Sequence, residues 1–147
     1  MAAYTHENFA ADVARSFAFL ESEYGMRRGP AHVAGAGSWV AYGNANVKVI
    51  VEFEVGGSVG VTVVNLRHVK RDPMERSEFD LEEIMHLASH REPRRQQPRT
   101  MSEAIAKGAE TLRAIGGPVL KGDFEALHER QRKLVEAVRR TNPLASN

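Results

Sequence analysis

The chain has no cysteine, which excludes a disulfide framework, a zinc–thiolate centre and a cysteine nucleophile. Nowhere does it run to about 20 consecutive apolar residues. Its opening, MAAYTHENFAADVARSF, has no basic segment leading into an apolar one. Neither a signal peptide nor a membrane span is expected, and a cytoplasmic protein is the default reading. Charge of one sign is scarce as well: the net charge is +1 at pH 7, too small to announce a nucleic-acid or membrane partner. There is no phosphate-binding glycine loop, nucleophile elbow or kinase signature, and Gly35 and Gly37 (AGAGS) precede a strand where a dinucleotide site needs a helix. No internal repeat is seen. A chain of 147 residues is long enough to bury a core without staples, and it suits one domain spanning residues 1–147.

What is present is clearest between Val47 and Arg67, VKVIVEFEVGGSVGVTVVNLR, which reads as a β-hairpin with one apolar face. A slip of one residue would turn every side chain to the other face, so matching side chains constrains the register. A three-residue loop of Gly56, Gly57 and Ser58 pairs Val55 with Val59, Phe53 with Val61 and Val51 with Val63. The opposite face then carries Lys48, Ile50, Glu52 and Glu54 beside Gly60, Thr62, Val64 and Leu66. SWVAY (Ser38 to Tyr42), followed by the turn-forming GNAN, predicts a third antiparallel strand. With a four-residue loop, Val40 and Tyr42 join the apolar face and Trp39 lies near Ile50 on the other.

Helices flank this meander. Phe9, Val13, Phe17, Leu20 and Tyr24 recur at helical spacing, with Thr5 or Asn8 as cap and Gly25 as stop. Asp80 caps a short helix with Leu81, Ile84, Met85 and Ala88 on its apolar side. Thr100 and Glu103 fit a capping box for a helix with Met101, Ala104, Ile105, Gly108, Leu112 and Ile115 on one face, ended by Gly116-Gly117-Pro118. The last helix starts near Asp123 and is expected to bury Phe124, Leu127, Leu134, Val135 and Val138, with Gln131 in mid-stripe. The expected fold class is α+β: an N-terminal helix, a three-stranded antiparallel β-meander and three C-terminal helices.

Three constellations bear on chemistry. Glu83, His86 and His90 share one side of a helix, a spacing open to metal, yet that side lies opposite the apolar stripe and has nothing to orient the imidazoles. The arginines of REPRRQQPR (Arg91 to Arg99) and of the last helix offer phosphate contacts, but glutamates interrupt them and no aromatic stands among them to stack on bases. Glu52 and Glu54 share a strand face as neighbouring carboxylates without a histidine or lysine fixed nearby, and a charged outer face is the plainer reading. No catalytic residues, metal or cofactor are expected.

FAFLESEYGM (Phe17 to Met26), WVAYGNANVKVIVEFE (Trp39 to Glu54) and VLKGDFEAL (Val119 to Leu127) together resemble a type of small bacterial protein that joins an N-terminal helix to a three-stranded sheet and C-terminal helices. Some of these look like immunity proteins of polymorphic toxin systems. The resemblance implies neutralisation of a toxin by surface complementarity, without cofactor or catalysis. The leading expectation is therefore a non-catalytic protein-interaction domain of the immunity or inhibitor kind, and the alternative is a small-ligand or nucleic-acid-binding accessory domain. The residues expected to meet a partner are Trp39, Glu52 and Glu54 on the mixed sheet face and Arg94 and Arg95 in the arginine-rich segment. The competing reading of Trp39 places it under one of the chain's own helices. Oligomeric state is left open by Gln131.

Overall fold

The computed structural model describes residues 4–54, 58–69, 74–88 and 100–141. Its elements run α1 (His6–Ser16), α2 (Ala18–Tyr24), β1 (Arg27–Arg28), β2 (His32–Ala34), β3 (Gly37–Gly43), β4 (Val47–Glu54), β5 (Val59–Asn65), β6 (Glu78–Asp80), α3 (Leu81–Leu87), α4 (Met101–Ile115), α5 (Gly117–Leu120) and α6 (Glu125–Thr141). The α+β class is as expected. The sheet is larger than a three-stranded meander: it has six strands, ordered β1-β3-β4-β5-β6 with β2 also paired to β3, and each pairing is antiparallel.

Strict alternation in β4 explains the layering. Val47, Val49, Val51 and Phe53 are buried, whereas Lys48, Ile50, Glu52 and Glu54 are not. Across the ladder Val40, Tyr42, Val61, Val63 and Phe79 continue the buried face. Phe9, Val13 and Leu20 from the first two helices, Phe17 between them, Ile105, Ala109 and Leu112 from α4, and Leu120, Phe124 and Leu127 complete the same core. Phe53 sits in an aromatic nest, with ring centroids 4.7 Å from Phe9 and 5.5 Å from Tyr4. Burial pushes the Tyr42 hydroxyl up to about 12.

The register differs from the expected one by two residues in both hairpins. Phe53 pairs with Val59, Val51 with Val61 and Val49 with Val63, and Val55 lies outside the described residues. Between β3 and β4 the side chain of Asn44 accepts the backbone N–H groups of Asn46 and Val47, both at 2.9 Å, and Trp39 pairs with Glu52 instead of lying by Ile50. A shift of two keeps every side chain on its face, and the division into inner and outer faces survives the corrected pairing.

The helical caps are as read. Thr5 Oγ1 accepts from Asn8 N at 3.0 Å, Asp80 Oδ1 from Glu83 N at 2.8 Å and Thr100 Oγ1 from Glu103 N at 3.1 Å. Three helical expectations are corrected. The N-terminal helix is interrupted at Phe17, whose φ of −99° and ψ of 12° break the ladder while its ring is fully buried beside Tyr42. Gly116-Gly117-Pro118 ends α4 but opens the short α5, since proline is tolerated in a helix's first turn. The apolar stripe of α6 buries only its first part: Phe124 and Leu127 are in the core, whereas Leu134 is 55% and Val138 47% exposed, because the helix runs past the body that covers it.

A buried carboxylate ties α1 to α4. Asp12 accepts from Tyr4 Oη and Ser102 Oγ, each at 2.6 Å, and from Arg15. Burial alone raises its pKa, but these hydrogen bonds outweigh it and hold the carboxyl below its ordinary value.

Candidate interaction face

All the helix-packed sheet residues lie on one side, and among the described residues the other side of the sheet carries no buried side chain. Pairing sets out this outer face in rows. The first holds Ala34, Gly37 and Glu54; the next runs His32, Trp39, Glu52 and Gly60; the third runs Ala41, Ile50, Thr62 and Asp80; the fourth holds Arg27, Gly43, Lys48, Val64 and Glu78.

Trp39 is half-buried and lies flat against His32, with ring centroids 4.1 Å apart and planes 20° from parallel. β2 therefore covers one side of the indole, and among the described residues Trp39 lies half-buried on the face opposite the helix-packed core. On its other side Glu52 is exposed and extends over Gly60: a Cβ built at position 60 would come within 3.3 Å of the Glu52 Cγ. A side chain at position 60 would push the Glu52 side chain aside by a few tenths of an ångström. Glu54 is exposed one row nearer the hairpin end, while Arg27 and Lys48 stand two rows away from Trp39. The result is an aromatic patch bordered by carboxylates at one end of an open sheet.

The structure thus brings together Trp39, Glu52 and Glu54 and adds His32, which sequence reasoning missed. The missed signal was β2 itself, too short at three residues to show a period. Arg94 and Arg95 lie outside the described residues, as does His90. Glu83 is engaged by both terminal nitrogens of Arg76, at 3.1 and 2.9 Å, and His86 is exposed.

A second polar cluster had no counterpart in the sequence reading. His68, after β5, and His128, on α6, stack at 4.1 Å with planes 18° apart, and His68 Nε2 lies 3.1 Å from Glu75 Oε2. Asn65 Oδ1 accepts from Arg67 N at 3.1 Å, which orients its amide so that Nδ2 donates to His128 Nε2, also at 3.1 Å. The proton of a neutral His128 ring then sits on Nδ1, a buried atom, and Gln131, one turn on, is the side chain that interacts with the ring. Burial and the neighbouring His68 lower the pKa of His128. Sixty residues separate the two histidines in sequence, and only α6 folding back along the sheet places them together.

No family model, no curated protein and no solved structure matches this chain. Among the described residues no helix is long and apolar enough to cross a membrane.

Proposed function

We propose that this protein is a non-catalytic protein-interaction domain that acts in the cytoplasm as an immunity or inhibitor protein, neutralising a bacterial toxin by covering part of its surface. The observation that carries this reading is the open sheet face, on which a flat Trp39–His32 stack stands beside the exposed carboxylates of Glu52 and Glu54. A rigid aromatic on a strand supplies contact area at small entropic cost, and such residues dominate binding energy once water is excluded around them. The carboxylates select a basic partner surface and speed its approach. They also disfavour a polyanion on this face, which weighs against nucleic acid there.

The test is co-purification from the host, identification of the partner, and calorimetry of the isolated pair. Trp39→Ala should weaken binding by about 30-fold or more, the range of a hot-spot residue. Glu52→Lys should weaken it further at low salt than at high salt. A partner whose affinity is unchanged by both substitutions overturns the assignment of this face, and one that is chemically turned over by the protein overturns the non-catalytic reading.

A further inference from the structure

The last helix is seated on the body by a short contact. Of the 17 residues of α6, Leu127, His128 and Gln131 are buried, and from Arg132 onward every side chain but the half-buried Val135 is exposed. Phe124, just ahead of the helix, is the other buried anchor. His128 is the polar member of this set and reaches the most elements. Its ring stacks on His68, after β5, at 4.1 Å, meets Phe79 of β6 edge-on at 5.2 Å and lies 6.3 Å from Phe124.

That seat accepts the ring in one protonation state. Because Asn65 Oδ1 is taken by Arg67 N, the amide turns Nδ2 towards the ring, and His128 Nε2 must carry a lone pair to receive it. A proton on Nε2 would set donor against donor. Turning the amide over to mend this would leave Arg67 N facing an NH₂ group. The other groups around the ring act both ways: His68 and Arg132 oppose a cation there, while the Gln131 side chain and Glu75, which lies 3.1 Å from His68 Nε2, favour one.

We propose that the Asn65–His128–His68 contact is a pH-dependent latch on α6, which holds the helix to the body while His128 is neutral and releases it as a unit when Nε2 takes a proton. Burial first, and then the neighbouring His68, hold the docked ring below its ordinary 6.5. A released helix leaves the ring free to charge, so the released state gains as pH falls through 6.5. The latch lies on the helix-packed side of the sheet and does not depend on the open face.

The test is hydrogen–deuterium exchange of the full chain at about pH 7.5 and about pH 5, with rates corrected for the intrinsic pH dependence of amide exchange. Protection of the α6 amides should fall about tenfold or more at the lower pH, while that of α4 and β4 changes by less than about threefold. His128→Phe keeps a stacked ring that cannot charge, and its α6 should be equally protected at both pH values. Asn65→Asp keeps an acceptor for Arg67 N and offers a second to a protonated Nε2, so α6 should stay docked at about pH 5. Should His128→Phe fail to fold, the comparison of Asn65→Asp with the wild type decides alone. The proposal is overturned if α6 loses protection no more than α4 does, if His128→Phe retains the pH dependence, or if Asn65→Asp releases α6 as the wild type does.

Discussion

Phe53 and Trp39 lie on neighbouring strands of one sheet but on opposite faces, and truncating each to alanine should separate core from surface by a wide margin. Phe53 is 2% exposed and ringed by Phe9, Tyr4 and His6, with centroids 4.7 to 5.7 Å away. Its loss leaves a cavity in a packed layer and should cost about 3–5 kcal/mol. Trp39 stacks on His32 and is paired across the ladder with Glu52, and among the described residues it lies on the sheet face opposite the helix-packed core. The aromatic pair contributes about 0.5–1.5 kcal/mol and the strand preference of an aromatic up to about 1 kcal/mol. Trp39→Ala should therefore cost about 1–2 kcal/mol, well short of the effect at Phe53. For a domain of this size 1 kcal/mol corresponds to about 3–4 °C, so the melting temperature should fall by roughly 3–8 °C at Trp39 and by 10 °C or more at Phe53. Differential scanning calorimetry of the two variants reads this directly. Equal destabilisation, or a Trp39→Ala chain that does not fold, would show that the indole is a core residue and that the open-face reasoning is mistaken.

Asp12 is held below its ordinary pKa of 3.8 in the fold, so its contribution is complete above about pH 5 and fades as pH falls through 3.8 towards the folded value. Asp12→Ala should cost about 1.5–3 kcal/mol at pH 7 and flatten the acid limb of stability measured by urea titration. His128 also carries a lowered folded pKa, below its ordinary 6.5, so stability should be lost as pH falls through 6.5, and His128→Phe should remove that slope. Leu134→Ala on the exposed half of α6 should change stability by about 0.5 kcal/mol or less, whereas Leu112→Ala, at 0% exposure, should cost about 2–5 kcal/mol in the same denaturation experiment.

The alternation of valine and phenylalanine with polar residues from Val47 to Val63 was enough to divide the sheet into a buried and an open face, because side chains in a strand follow a period of two whatever their partner. Thr5, Asp80 and Thr100 marked helix starts for an equally local reason, since each cap is satisfied within three residues. Pairing was different. Composition put turns at GNAN and at the glycine pair, but the loop lengths, and with them the register, were decided by Asn44 closing one turn and by which valines met across the ladder. The short β1, β2 and β6, at two or three residues each, carry no period of their own and exist because a neighbouring strand offers them hydrogen bonds. Gln131 shows the same limit: in sequence it interrupts an apolar stripe, and only the tertiary fold buries it beside His128. Local patterns determine what a residue can do within a few positions, and the meeting of residues sixty apart depends on how whole elements pack.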